Sequence, residues 1–169
     1  MTSAGKLLKI CFFLGLLITF TSSPISAGTK PQLCILSFPE MHSLAQLDPS
    51  TDGTFSLSFL HSVSLNTVTD VYRIEANEII QISETFSQHG AGLPSQSDDI
   101  GVTGWVHSNG MFTVELDRKV SPLVIRVQSG YQNKLTQNGR EYRMSDWAIG
   151  ALLLTPCGTI NRMKDIKNG

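Results

Sequence analysis

The sequence has little charge of either sign and no cluster of one sign. Its 13 lysines and arginines nearly balance 14 aspartates and glutamates, so that the formal net charge is −1. A nucleic-acid-binding domain normally carries clustered lysine and arginine that neutralise phosphates. Because no such basic patch is present, we do not expect nucleic acid to be a partner.

The common catalytic spacings are missing as well. No close pair of histidines and no H-E-x-x-H sequence is available to hold a metal, and no serine stands in a G-x-S-x-G setting. Ser62 directly follows His61, but neighbouring residues of a strand point to opposite faces, so His61 is not expected to act as its base. We therefore predict a non-enzymatic protein without a cofactor.

Long apolar runs are absent except near the start of the chain. Ile10–Phe20 is apolar, follows Lys6 and Lys9, and precedes the small residues Ser26-Ala27-Gly28. This order is typical of a secretory signal peptide, and the run is short for a bilayer span, which needs roughly 20 residues. We predict that residues 1–28 are a signal peptide. An uncleaved anchor is the alternative, so membrane contact would be peripheral or N-terminal at most.

Cysteine is scarce, with three in the whole chain. Cys11 lies inside the predicted signal peptide, which leaves Cys34 and Cys157. An even number of cysteines in an exported protein suggests a disulfide. Cys34 lies in the first predicted strand and Cys157 just after the last, so a bridge would join the two ends of the domain. Two free buried thiols are the alternative.

What the sequence does contain is short segments in which apolar and polar residues alternate, and these segments are separated by turn residues. Asn109-Gly110 and Asn138-Gly139 are typical of two-residue hairpin turns, and no amphipathic helix is convincing. The pattern predicts an all-β fold, an antiparallel sandwich or barrel of about ten short strands after the signal segment. We expect one domain over residues 29–160, a connection over 39–53, and a polar tail over 161–169.

Three consecutive predicted strands each place one ionisable residue among the apolar ones. In the predicted strand Phe55–Val63, alternation places His61 on the same face as the apolar residues. It does the same for Asp70 in the next predicted strand, Thr67–Glu75. In the third, Glu78–Phe86, Glu84 alternates in step with Ile80, Ile82 and Phe86. Buried ionisable groups need partners, so this pattern suggests a paired cluster.

Three interpretations of this cluster are open. It could be a hydrogen-bonded network that fixes strand register, the polar floor of a ligand pocket, or a metal site. The metal candidates are His61, His89 and Glu84, because imidazole and carboxylate suit a transition metal.

A glycine-bearing loop, Gln88–Ile100, follows the third of these strands. Its sequence HGAGLP lacks the lysine of a phosphate-binding loop, so it is either a turn or a segment whose exposed amides approach a ligand or partner. The candidate ligand- or partner-binding residues are therefore those of the cluster and of this loop: His61, Ser62, Asp70, Glu84, His89, Gly90, Ala91, Gly92, Leu93 and Pro94.

Several of these stretches resemble one bacterial family. FSLSFLHSV, the acidic Asp70, SETF and GAGLP resemble the family called domain of unknown function eighteen-fifty, and NGREYRM with the closing 147–154 strand is similar to its end. That family is known as small exported proteins encoded beside TRAP transporter permeases of the TAXI type.

The resemblance implies a transport accessory. It would be located in the periplasm or on the outer face of the cytoplasmic membrane, where it would contact the permease or its solute-binding protein. The alternative is a stand-alone periplasmic protein that binds a small ligand or a metal, or a metal-dependent hydrolase.

Overall fold

Eleven β-strands in two antiparallel sheets make up the part of the chain that the computed structural model describes, residues 31–148 and 150–160. The predicted all-β class is confirmed. The predicted signal peptide, Cys11 and the tail over 161–169 lie outside the described residues. The strands are β1 (Leu33–Phe38), β2 (Ser43–Leu47), β3 (Thr54–Leu60), β4 (Thr67–Glu75), β5 (Glu78–Phe86), β6 (Val102–Ser108), β7 (Met111–Lys119), β8 (Leu123–Val127), β9 (Lys134–Gln137), β10 (Arg140–Arg143) and β11 (Gly150–Pro156).

The smaller sheet has the strand order β2-β1-β11-β8. Its edge strand β2 lies within 39–53, so the prediction of a plain connection there was wrong. Leu47 is the one fully buried residue of β2, and the strand is held by its pairing with β1. A strand held mainly by backbone pairing leaves little apolar alternation for the sequence to show.

The larger sheet has the order β10-β9-β3-β4-β5-β7-β6. Three of its hairpins close with two residues that both have positive φ: 47° and 67° at Ala76-Asn77, 53° and 72° at Asn109-Gly110, and 52° and 72° at Asn138-Gly139. Such turns match the right-handed twist of the flanking strands. The predicted Asn-Gly hairpins are confirmed. Among the described residues, no helix has the length and apolarity needed to cross a membrane.

The apolar core has two parts on the same face of the larger sheet. The main part packs the larger sheet against the smaller one and includes Phe55, Tyr72, Ile35 and Leu154. The second part is built from residues of the larger sheet: Val68, Phe86, Val114 and Leu116. Leu93, from the segment between β5 and β6, packs against this second part. That segment therefore covers the region of the larger sheet that the smaller sheet leaves open.

The predicted disulfide between Cys34 and Cys157 is present. It joins β1 to the short turn after β11 across a sequence separation of 123. Cys34 is 4% exposed and packs with Leu36 and Leu153 on the outer face of the smaller sheet. The bridge therefore links the first and last strands of the described chain.

An irregularity in β5 changes which residues face the core. The pairing of β5 with β7 shifts between Gln81 and Ser83, and its pairing with β4 also shifts. Ile79 and Gln81 share the core face before this bulge, and Glu84 and Phe86 share it afterwards. The prediction that Ile80 and Ile82 point to the same core face was therefore wrong, because a single extra residue reverses the alternation.

Candidate functional site

The two predicted acidic residues lie side by side in the core. Asp70 on β4 is directly opposite Glu84 on β5, and they are 9% and 6% exposed. On β4, Asp70 separates Val68 of the second apolar cluster from Tyr72 of the first. The carboxyl pair therefore marks the boundary between the two parts of the core.

Neighbouring polar side chains form hydrogen bonds around Asp70. The Tyr72 hydroxyl donates to Oδ2 of Asp70 at 3.0 Å, and Nε2 of Gln81 donates to Oδ1 at 3.2 Å. Nη1 of Arg118, on β7, donates to Oε1 of Gln81 at 3.4 Å. We call Asp70, Tyr72, Gln81, Glu84 and Arg118 the polar seam, because they form a continuous row across β4, β5 and β7.

Burial sets the protonation of the seam. Desolvation raises the pKa of Asp70 to about 6, although hydrogen bonds from Tyr72 and Gln81 act in the opposite direction. Desolvation and the nearby Asp70 charge raise the pKa of Glu84 to about 7. Burial and Asp70 also raise the pKa of Tyr72 above its usual range. The carboxyl pair can therefore bind and release protons close to neutral pH.

His61 belongs to a different part of the molecule. The predicted strand Phe55–Val63 ends at Leu60, and His61 begins the β3–β4 turn, where it is 7% exposed. Its Nδ1 accepts from the backbone N–H of Ser64 at 3.2 Å, and its Nε2 donates to the carbonyl oxygen of Ala91 at 3.2 Å. Within the described part of the chain, His61 makes no hydrogen bond to either carboxylate. The expected pairing of His61 with them was wrong, because the strand ends at Leu60, three residues earlier than predicted, and His61 lies in the turn.

The imidazole of His61 instead fixes the start of the GAGLP segment. A Cβ on Gly90 would lie 2.7 Å from Cε1 of His61, so no larger residue fits there without movement. Leu93 donates its N–H to the Gly90 carbonyl at 3.1 Å, and Pro94 is buried. Gly92 has a φ of 89°, a conformation that favours glycine. The HSV and GAGLP motifs are therefore in direct contact.

The end of the same segment is tied to the polar seam. Nε and Nη2 of Arg118 both donate to the carbonyl oxygen of Ile100, at 3.0 and 2.7 Å. Oδ2 of Asp99 accepts from the N–H groups of Ser95 and Gln96, at 2.7 and 3.0 Å. We call residues 87–101 the cover loop. It is fixed by His61 at one end and by Arg118 at the other, while Ala91 and Gly92 stay exposed between them.

His89 and Ser62 do not join the seam. The exposed ring of His89 contacts aromatic rings, with centroid distances of 4.5 Å to Phe112 and 6.0 Å to Trp105. Ser62 is exposed in the β3–β4 turn. Over residues 31–148 and 150–160, no group of three or more histidine, cysteine, aspartate or glutamate side chains could hold a metal ion. The metal candidates His61, His89 and Glu84 are thus not brought together.

Two open cavities adjoin these residues. One of about 420 Å³ lies between Gly92–Ser95 of the cover loop and Arg118. The other, of about 280 Å³, lies between the end of β3 and β8 and includes His61, Ser62, Arg126 and Asn133. In this second cavity, Oδ1 of Asn133 is buried and has no hydrogen-bond partner within the described chain. Both cavities are lined in part by residues that the sequence had singled out.

Gln81 and Arg118 are seam residues that sequence reasoning missed. Simple alternation along β5 places Gln81 on the face away from the core, because it does not account for the bulge. Arg118 lies near the end of β7, which continues to Lys119. The inward series Phe112, Val114, Leu116 extends to Arg118, and this continuation was the available signal.

The fold and the site together define a class: a two-sheet β-protein with a buried carboxyl pair under a fixed cover loop. Residues 55–144 match the family model described as Domain of unknown function (DUF1850). The chain belongs to this family. The match spans β3 to β10 and so includes the polar seam and the cover loop, whereas β1, β2, β11 and the disulfide lie outside it. No curated protein and no solved structure matches the chain.

Proposed function

We propose that this protein is an exported, non-enzymatic accessory of a TAXI-type TRAP transporter. It would act by binding the permease or its solute-binding protein, in the periplasm or on the outer face of the cytoplasmic membrane. The observation that carries the binding role is the cover loop, which is fixed by His61 and Arg118 and holds Ala91 and Gly92 in solvent. The family's link to these transporters, which rests on the sequence resemblance, supports the choice of partner.

The bonding of the polar groups supports binding rather than catalysis. Both nitrogens of His61 are engaged, with Ser64 and Ala91, so the ring is not oriented as a base for the neighbouring Ser62. Both oxygens of Asp70 accept hydrogen bonds from Tyr72 and Gln81. A side chain that is fully hydrogen-bonded inside the protein is a poor candidate for attacking a substrate.

The disulfide supports the proposal of export. Disulfides persist in oxidising compartments and are rare in the bacterial cytosol. The bond between Cys34 and Cys157 crosslinks β1 to the turn after β11, which are the two central and mutually paired strands of the smaller sheet. A protein that relies on this bond would need a compartment that preserves it, which agrees with a signal peptide over residues 1–28.

Crosslinking in intact cells tests the accessory role. The protein carries a C-terminal tag, and its crosslinked partners are identified by mass spectrometry. We expect recovery of a TRAP permease or its binding protein, with a loss on Ala91→Arg and no loss on the control Ser145→Arg, since both positions are exposed. Recovery of no transporter component above background, from cells that contain folded protein and permease, would contradict the proposal.

One observation favours a second candidate, a small-ligand-binding protein. The cavity between β3 and β8 is mostly apolar, but it contains the unpartnered Oδ1 of Asn133 and the exposed Arg126. It suits a small molecule with an apolar body, a hydrogen-bond donor and an anionic group. Native mass spectrometry of protein purified without denaturation would show a bound molecule that Asn133→Ala or Arg126→Ala removes. A wild-type mass equal to that of the bare chain would count against this candidate.

A further inference from the structure

We propose that the buried carboxyl pair, Asp70 and Glu84, is a proton-controlled latch on the cover loop, with Arg118 as its moving part. When the pair is protonated, Arg118 holds the carbonyl oxygen of Ile100. When the pair is ionised, Arg118 turns toward the carboxylates and releases residues 95–100. The inference goes beyond the proposed accessory function, because it concerns a movement within this chain and its test needs no partner.

A chain of hydrogen bonds connects the pair to the loop. Nε2 of Gln81 donates to Oδ1 of Asp70 at 3.2 Å, and Oε1 of the same amide accepts from Nη1 of Arg118 at 3.4 Å. On its other side, the guanidinium donates to the Ile100 carbonyl through Nε and Nη2, at 3.0 and 2.7 Å. Arg118 therefore lies between the carboxyl pair and the loop, and a change of charge at the pair acts on the group that holds the loop.

The segment that Arg118 holds has little packing of its own. None of residues 95–100 is buried, and the side chain of Ile100 is 84% exposed. Oδ2 of Asp99 accepts from two N–H groups within the segment, so these hydrogen bonds are kept if the segment moves as a unit. Because apolar burial contributes little here, the hydrogen bonds from Arg118 are the main side-chain tie between this segment and the sheet.

Fixed points on both sides limit the movement to this segment. Pro94, which precedes it, is buried. Gly101, which follows it, accepts from the Asp117 N–H at 2.8 Å, and a Cβ on Gly101 would lie 3.1 Å from Cβ of Arg118. The φ of Gly101 is 79°, a region that favours glycine. Residues 95–100 can therefore turn about Gly101 while the rest of the cover loop stays in place.

Electrostatics give the direction of the movement. Burial raises the pKa of Asp70 to about 6 and that of Glu84 to about 7, and the charge of Arg118 acts on both in the opposite direction. The pair is therefore mainly protonated in mild acid and ionised above neutral pH. An ionised carboxylate attracts a guanidinium more strongly than a neutral carbonyl does, and the interior strengthens that attraction.

Thermodynamic linkage sets the size of the effect. If Arg118 moves toward the ionised pair, it lowers the pKa of the pair further. The same coupling favours the released loop, whose equilibrium constant rises about tenfold for each pKa unit of that shift. Release therefore begins as pH rises through the range in which the pair loses its protons.

The other charged groups at the seam do not reverse this response. Burial raises the pKa of Tyr72, so its phenol stays neutral. On the loop side, hydrogen bonds from two N–H groups and the charge of Arg118 lower the pKa of Asp99, so Asp99 attracts Arg118 equally at both pH values. The smaller sheet contributes apolar residues to the core. The residues opposite the pair on β3 and β7 are also apolar: Leu57 and Val114.

The latch controls the shape of the polar cavity beside the loop. This cavity of about 420 Å³ is bounded by Asp99 and Ile100 on one side and by Arg118 on another. Release of residues 95–100 removes one wall, and the inward turn of Arg118 withdraws a positive charge from the lining. The cavity is therefore wider and less positive above neutral pH.

Fluorine NMR tests the proposal on the purified protein. 4-(Trifluoromethyl)phenylalanine replaces Ser97, which is exposed within the held segment, and a control protein carries it at Val124, which is 42% exposed. We expect the transverse relaxation rate at position 97 to fall as pH rises from about 5 to about 8.5, because the released segment moves faster. The midpoint should lie near the pKa values of the pair, about 6 and about 7, and position 124 should show no such change.

Variants of the pair and of Arg118 show whether the latch causes the response. Asp70→Asn with Glu84→Gln imitates the protonated pair, so position 97 should relax fast at every pH. Arg118→Gln lacks the latch, so its relaxation should be slow at every pH. The control Glu75→Gln, which removes a surface ion pair with Arg73, should respond like the wild type. If circular dichroism shows the double variant unfolded, Asp70→Asn alone should move the midpoint to lower pH, because the Asp70 charge raises the pKa of Glu84.

Several results would overturn the inference. These are a relaxation rate at position 97 that stays constant or rises with pH, an equal change at position 124, or a pH response that survives in the double variant or in Arg118→Gln. The accessory role stands or falls separately. A transporter crosslink from a protein whose label does not respond to pH would leave that role without the latch, and a latch response without any transporter crosslink would do the reverse.

Discussion

Asp70 and Glu84 face each other across two neighbouring strands of the larger sheet, and both carboxyl groups are buried. Negative charges on two adjacent buried carboxylates would repel each other strongly, because the protein interior solvates them poorly. Between about pH 4 and 7, these two carboxyl groups therefore keep protons in the folded protein that they would release in the unfolded chain. The positive charge of Arg118, which donates a hydrogen bond to Gln81, lowers the pKa of both carboxyl groups, but by less than burial raises it.

This arrangement predicts a stability that falls as pH rises. The folded pKa values, about 6 for Asp70 and about 7 for Glu84, lie above the ordinary values of 3.8 and 4.5. Between roughly pH 4 and 7 the folded state binds more protons than the unfolded state, so the free energy of unfolding decreases across this window. We expect a loss on the order of 2 kcal/mol between pH 5 and 8.

Urea unfolding at pH 5 and pH 8 measures this change. The double variant Asp70→Asn with Glu84→Gln keeps the shape of both side chains and removes their titration, so its free energy of unfolding should vary less with pH. Glu78→Gln is a suitable control, because Glu78 forms a surface ion pair with Lys119 at 2.8 Å. The same pH slope in the wild type and the double variant would show that the carboxyl pair is not the cause.

The contact between His61 and Gly90 predicts the effect of a single methyl group. Gly90→Ala would place a Cβ 2.7 Å from the buried ring, which would have to move away from Ser64 and Ala91. We expect a destabilisation of about 1–3 kcal/mol, typical of forcing an extra group into a packed site. Gly130→Ala is the matched control, since a Cβ on Gly130 meets nothing within 4 Å.

A double-mutant cycle distinguishes this contact from a general effect on the loop. In a His61→Ala background the added methyl has room, so Gly90→Ala should cost much less there than in the wild type. Free energies of unfolding from urea titrations of the four proteins supply the comparison. Equal costs in the two backgrounds would mean that the ring does not determine the glycine requirement.

The disulfide predicts a large response to reductant. Cys34 and Cys157 are 123 residues apart, and the chain-entropy account gives about 4–5 kcal/mol for closing a loop of that length. The variant with both cysteines changed to serine should therefore unfold at a clearly lower urea concentration. Wild-type protein should fall to the same midpoint in dithiothreitol, and the double variant should not respond to it. A wild-type midpoint that dithiothreitol leaves unchanged would contradict this prediction.

Local patterns in the sequence predicted much of the larger sheet. β4 and β5 have the predicted bounds, Thr67–Glu75 and Glu78–Phe86, because a two-residue turn joins them and apolar and polar residues alternate regularly along β4. Asp70 and Glu84 were placed correctly on the buried face. Alternation along β4 gives the face of Asp70 directly, and Glu84 shares a face with Phe86 because both lie beyond the bulge in β5.

The rest depends on interactions that a local pattern does not contain. The bulge near Ile82 is a property of how β5 pairs with both neighbours, so alternation within β5 could not locate it. The end of β3 at Leu60 depends on the turn that the His61 ring stabilises, and extending the alternation through Val63 placed an exposed residue in the core. Sequence reasoning thus found the acidic pair but assigned His61 to the wrong neighbours.

The backbone of Leu65 predicts a variant that gains stability. A leucine at a φ of 54° is strained, and asparagine tolerates this conformation better. Leu65→Asn should therefore raise the free energy of unfolding by about 0.5–1 kcal/mol, because the lost side chain is 68% exposed and contributes little packing. The control Leu60→Asn, at the half-buried end of β3, should be destabilising instead. Urea midpoints measure both changes, and a destabilised Leu65→Asn would show that the leucine packs in the folded protein after all. A gain in stability would mean that the positive φ at this position costs the fold more free energy than the leucine side chain contributes by packing.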